Sequence, residues 1–151
     1  MSSVGEGLFM KSPADTMLKR LRVLLADDHQ EMQKRVKDML EAEFEVVGTV
    51  DNGQALVDAA AELKPDVLVV DIAMPVLNGI DAVRQIRQSG STAKVIFLTV
   101  HEDPDFVPEC FDAGALAYVV KSRLGSDLIR AIRFALENRT FVSPVVPWSS
   151  S

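Results

Sequence analysis

Apolar positions recur along this chain in two alternating patterns. Short runs rich in Val, Ile and Leu occupy residues 21–26, 46–50, 67–70, 95–98 and 117–120, and each run has the length of one strand. Between them, apolar residues fall at helical spacing. The sets are Met32, Val36, Met39 and Leu40; Leu56, Ala60 and Leu63; Ile80, Val83 and Ile86; and Leu124, Leu128, Ala131, Ile132, Ala135 and Leu136. Each set marks one buried helix face. Turn-forming residues punctuate the boundaries, with Asp51-Asn52-Gly53 and Ser89-Gly90-Ser91 among them, and Gly114 stands where a helix would stop.

Such alternation predicts βαβ units, hence a mostly parallel sheet with helices on both faces. The unbroken apolar run at 67–70 fits a strand buried on both sides. The expected fold is α/β, a (βα)5 doubly wound parallel sheet with strand order 2-1-3-4-5 and a crevice where strands 1 and 3 diverge. The fourth helix is the least regular element. Asp103-Pro104 suits an N-cap and first turn, but Pro108 falls one turn further on, where it removes a backbone donor. That helix is expected to be short, kinked, or to begin only near Val107, and so to be the softest part of the fold. Residues 1–20 carry Gly, Ser and Pro without a period and read as a flexible lead-in. Residues 21–142 read as one domain, and 143–151 as a tail or the start of a linker.

Composition narrows the classes open to such a fold. The chain has 151 residues, enough for one domain of ordinary size. Sixteen basic against twenty-two acidic side chains leave a net charge of −6, which argues against holding nucleic acid by broad phosphate neutralisation. The single cysteine, Cys110, excludes an internal disulfide and a multi-cysteine zinc site. With only His29 and His101 besides, a histidine-based metal cluster is not expected. No apolar run approaches the roughly 20 residues that span a bilayer, and the first twenty residues lack the apolar stretch of a signal peptide. The expected setting is cytoplasmic, with no membrane partner.

In an open α/β sheet, ligands bind beyond the carboxyl ends of the strands. Here the first run ends in Asp27-Asp28, the third in Asp71, the fourth in Thr99 and the fifth in Lys121. Crowded carboxylates repel unless a cation lies between them. Hard oxygen ligands around a small open site suit Mg²⁺ or Mn²⁺. A carboxylate nucleophile, a divalent metal and a lysine are the components for forming an aspartyl phosphate. Each residue alone has a plainer reading: Asp28 as the cap of a helix beginning near Gln30, Asp71 as a solvated strand end, Thr99 as an ordinary strand residue, Lys121 as a surface lysine. Their combination at four strand ends favours the functional one.

The segments LLADDH (residues 24–29), VLVVDIAMPVLNG (67–79), FLTV (97–100) and AGALAYVVKS (113–122) resemble the receiver domains of two-component response regulators. The similarity runs from residue 21 to residue 144. It implies a flavodoxin-like fold and phosphorylation at Asp71. It also implies Mg²⁺ held by Asp27, Asp28, Asp71 and the backbone carbonyl of Ala73. Thr99 and Lys121 would bind the phosphoryl oxygens, and Thr99 with Tyr118 would form the switch. The implied donor is a sensor histidine kinase or a phosphotransfer protein. The face made by the fourth helix, fifth strand and fifth helix would be presented to a partner or to a second copy in a homodimer. The resemblance implies a signalling domain rather than an enzyme with a separate substrate, at most phosphorylating and dephosphorylating itself at Asp71.

Ser122 follows Lys121 where the family often has proline, so the Lys121–Ser122 bond is expected to be trans. This variant resembles regulators with helix-turn-helix output. A following output domain could bind DNA, while this chain is not itself expected to bind nucleic acid. A phosphatase of the haloacid dehalogenase type would need a second acid two residues after its nucleophile, where Ala73 stands. A nucleotide-binding module would need a glycine- or hydroxyl-rich loop after the first strand, where Asp27-Asp28-His29-Gln30 stands. A phosphorylation-independent, receiver-like interaction domain is the alternative, and the presence of the full residue set weighs against it.

Overall fold

The structure, a computed structural model, describes residues 20–100 and 106–144. The expectations for the lead-in, for Asp103-Pro104 and for residues 145–151 lie outside the described residues. Strands and helices alternate as β1 (Arg22–Ala26), α1 (Gln30–Glu41), β2 (Glu45–Val50), α2 (Gly53–Leu63), β3 (Val67–Asp71), α3 (Gly79–Gln88), β4 (Lys94–Thr99), α4 (Phe106–Asp112), β5 (Ala117–Val120), α5 (Leu124–Leu136) and β6 (Phe141–Val142). One 3₁₀ turn, Lys121–Arg123, joins β5 to α5. The sheet order is β2-β1-β3-β4-β5-β6, and every pairing is parallel.

The strands' period of two explains both the layering and the site. Leu24, Leu68, Val70, Val95, Phe97 and Tyr118 share one face, packed with Leu56 of α2, Ile80 and Val83 of α3 and Cys110 of α4. Val23, Leu25, Val67, Val69, Ile96, Leu98 and Val119 share the other, packed with Val36 and Leu40 of α1 and Leu128 and Ile132 of α5. Burying each such aliphatic side chain contributes roughly 1.5–3 kcal/mol, so a register slip of one residue would cost both faces at once. Continued past the strand ends, the same parity puts Asp27, Asp71 and Lys121 in line with the α1/α5 face, and Thr99 in line with the face of Tyr118.

Two differences from the sequence expectation stand out. A sixth strand extends the sheet: the Phe141 amide donates to Leu116 O at 3.0 Å and the Ser143 amide to Tyr118 O at 2.9 Å. At two residues it is too short to leave a periodic signal. Ser143, assigned by sequence to the tail, is buried. The fourth helix, expected to be short, kinked or to begin only near Val107, has Phe106–Asp112 as its described part, with Pro108 inside it. No peptide bond among the described residues is cis, so Lys121–Ser122 is trans as expected.

Helix starts set the loops around the strand ends. Asn52 caps α2 by accepting from the Ala55 amide, and Asn78 caps α3 by accepting from the Asp81 amide. Gly79 opens α3 where a Cβ would lie 2.3 Å from the Asp71 carbonyl oxygen. Only glycine lets that helix start so close behind Asp71.

Candidate functional site

Asp27, Asp71, Thr99 and Lys121 are all buried at the carboxyl edge of the sheet. The Lys121 ammonium donates to Asp27 Oδ2 at 2.8 Å and to Asp71 Oδ2 at 3.1 Å. The structure therefore unites residues from three strand ends that lie up to 94 positions apart. Thr99 stands one residue beyond Leu98, the β4 partner of Asp71. Phe97 pairs with Tyr118, so Thr99 and Tyr118 are diagonal neighbours on one face of adjacent strands. Ala73 lies in the loop after β3, and its amide donates to Asp71 Oδ1 at 3.3 Å.

The electrostatics follow from burial. Loss of water is the largest influence on Asp71 and pushes its carboxyl up; the Asp27 charge adds to this, while Lys121 and the Ala73 amide pull it back, leaving it at about 6. Burial would by itself lower the Lys121 ammonium. The hydrogen bond to Asp27 and the charges of Asp71 and Asp27 outweigh it and raise the group. The result is a cation fixed between two carboxylates in a site shielded from bulk water, where each charge acts strongly.

Asp28 is not spent as a helix cap. The N-cap of α1 is His29, with no side-chain cap bond, and the His29 amide donates instead to Asp27 Oδ1 at 2.9 Å. Among the described residues, Asp28 Oδ1 is a buried oxygen that accepts no hydrogen bond. His29 Nδ1 stands 3.1 Å from it. One ligand-capable atom from each of Asp27, Asp28, His29 and Asp71 lies within 4.8 Å of every other. An orphaned buried carboxylate oxygen beside two further carboxylates fits a divalent cation.

Sequence reasoning placed the acidic residues, Thr99, Tyr118 and Lys121, but missed two contributions. One is the His29 ring, whose signal was its adjacency to the acidic pair. The other is a third buried aspartate, Asp127 of α5, which anchors the fold behind the site. Asp127 Oδ2 accepts from Arg123 Nε at 2.8 Å and from the Ser143 hydroxyl at 2.8 Å. Ser143 Oγ in turn accepts from the Val120 amide at 3.1 Å. This chain of bonds holds the end of β5 next to Lys121, and nothing in the sequence pattern announced it.

Known proteins resemble this chain in sequence and in fold. A family model described as the response regulator receiver domain matches residues 23–133. The chain is 33% identical over 129 residues to the transcriptional regulatory protein DegU of Brevibacillus brevis, covering 84% of this chain and 55% of that protein. It is 40% identical over 124 residues to the transcriptional regulatory protein PdtaR of Mycobacterium tuberculosis, covering 82% and 60%. The chain thus spans between half and two thirds of these relatives. A two-component response regulator of the LuxR family from Aurantimonas sp. SI85-9A1 superposes with a TM-score of 0.79 at 31% identity, over 83% of this chain and 91% of that one. The response regulator domain of Thermotoga maritima CheB gives a TM-score of 0.73 at 31% identity, over 79% and 98%.

Proposed function

Because the chain belongs to the family of response regulator receiver domains, we propose that it takes a phosphoryl group onto Asp71 and converts that charge into a change of surface. The observation that carries this reading is Lys121, bonded at 2.8 and 3.1 Å to Asp27 and Asp71 beside the unbonded Asp28 Oδ1. The proposed donor is a phosphohistidine on a sensor kinase or phosphotransfer protein. One Asp71 oxygen forms the new O–P bond as the P–N bond breaks, and the leaving imidazole takes up a proton.

Mg²⁺, held by Asp27, Asp28, Asp71 and the Ala73 carbonyl, would supply neutralisation of the phosphoryl oxygens when bound. Lys121 moves from pairing with the Asp71 carboxylate to pairing with the phosphoryl oxygens, where its charge offsets part of theirs. The Thr99 hydroxyl donates to the same group, a charge-assisted bond of roughly 1.5–3 kcal/mol. A bias of that size shifts a two-state equilibrium by roughly ten- to a hundredfold. Tyr118, on the same face, follows Thr99, and the α4, β5 and α5 surface, now bordered by β6, carries the change to a partner or to a second copy of the chain. We extend the reading to transcription control, because the relatives that this chain partly spans are transcriptional regulatory proteins.

Acetyl phosphate with Mg²⁺ tests the acceptor. Intact mass should rise by one phosphoryl group, and Asp71→Asn should abolish the gain. Label that persists on another carboxylate would overturn the assignment.

A further inference from the structure

The acidic cluster carries a nitrogen donor that the reading above does not use. We propose that the His29 imidazole is a ligand position of the cation site and gives it a preference for divalent transition ions, Zn²⁺ and Ni²⁺ among them, over Mg²⁺. This rests on the assignment of Asp27, Asp28 and Asp71 as metal ligands.

The geometry suits it. Two ligand atoms each about 2.1 Å from a metal and at right angles to each other are about 3 Å apart. His29 Nδ1 lies 3.1 Å from Asp28 Oδ1 and 3.6 Å from Asp27 Oδ1, the separations of adjacent positions in one coordination shell. The His29 amide is bonded to Asp27 Oδ1, and α1 starts at the next residue, so the backbone from which the ring extends is fixed beside the two carboxylates. The side chain is 71% exposed, and the small adjustment needed to close on an ion displaces no packed neighbour.

The chemistry supplies the selectivity. Mg²⁺ takes oxygen ligands and keeps its waters, so the ring gives it little. Neutral imidazole suits Zn²⁺, Ni²⁺, Cu²⁺ and Fe²⁺, and raises the affinity of a mixed nitrogen and carboxylate set for them. Such an ion would occupy the place where Mg²⁺ assists phosphoryl transfer, so the same residues would sense two classes of metal.

Calorimetric titration of the full chain with MgCl₂ and ZnCl₂ tests this, together with the nitrogen hyperfine coupling of the Cu²⁺ complex in electron paramagnetic resonance. Wild type should bind Zn²⁺ more tightly than Mg²⁺. His29→Ala should narrow that gap by at least about tenfold, the loss expected when a metal site loses a supporting group. The coupling to an imidazole nitrogen should vanish with it. An unchanged gap, or a coupling that survives in His29→Ala, overturns the role of His29 and leaves the receiver reading standing. Failure of wild type to bind Mg²⁺, or binding that Asp28→Asn does not weaken, overturns the metal assignment beneath it.

Discussion

Asp71 and Asp127 are two buried aspartates on the same domain with opposite electrostatic fates. Asp127 is fully buried, and that alone would raise its carboxyl. Hydrogen bonds from Arg123, Ser143 and Ser126, with the Arg123 charge, outweigh burial and hold it below the usual carboxylate range. Asp71 is nearly as buried, yet its partners are one ammonium shared with Asp27 and one longer amide contact at 3.3 Å, and its carboxyl sits at about 6. The difference lies in the balance: for Asp71 burial and the Asp27 charge outweigh its few hydrogen bonds, and for Asp127 the hydrogen bonds and the Arg123 charge outweigh burial. A carboxylate whose oxygens are already bonded by the fold is a structural anchor; one left short of partners in a polar crevice is available for chemistry.

The strongest way to break this comparison is Lys121→Ala. It leaves Asp27 and Asp71 facing each other without the cation that bridges them, and truncating one partner of a buried ion pair costs about 3–5 kcal/mol. Chemical denaturation in chelator should show that loss, and added Mg²⁺ should recover part of it. A variant as stable as wild type would mean that the two carboxylates do not need the ammonium.

Asp127→Ala should cost less, about 2 kcal/mol, because Arg123 and Ser126 can turn to water while the Ser143 hydroxyl keeps the Val120 amide. Phosphoryl acceptance from acetyl phosphate should survive. If acceptance falls as steeply as stability, Asp127 belongs to the site and the contrast with Asp71 fails.

Asp71→Asn should move the other way. It removes a buried charge that repels Asp27, so it should raise stability by about 1 kcal/mol while abolishing acceptance, the usual trade at a functional site. A destabilised Asp71→Asn would place Asp71 among the anchors. The smallest effect is in acid. Because the folded-state value of Asp127 is depressed, its stabilisation is complete above the ordinary carboxylate value of about 3.8 and is lost as pH falls through the lower, folded value. Below pH 4, unfolding of wild type should therefore steepen relative to Asp127→Asn.

Much of this was legible beforehand because it repeats. The alternation of Val, Ile and Leu runs with helical spacing prescribes a parallel sheet, and a period of two carries Asp27, Asp71 and Lys121 to one side of it. The plainer reading of Asp28 as a helix cap could be settled only by seeing α1 begin after His29 and find its N-cap without a side-chain bond. β6 escaped notice because two residues make no pattern, and its backbone bonds to β5 are reinforced by the Ser143 side chain, sixteen positions from its partner Asp127.

The sequence by itself thus determined the layers and which charged residues end which strands, since these follow from short-range periodicity, while the order of the first five strands rests on the commonest arrangement of such sheets. Only the tertiary structure decided how many partners each buried charge keeps. That number depends on contacts between segments far apart in the chain: Lys121 reaching Asp27 across 94 positions, Ser143 closing on Asp127, and the His29 ring turned toward Asp28. Distances of that kind are set by how helices pack and loops close, and no local pattern of residues records them.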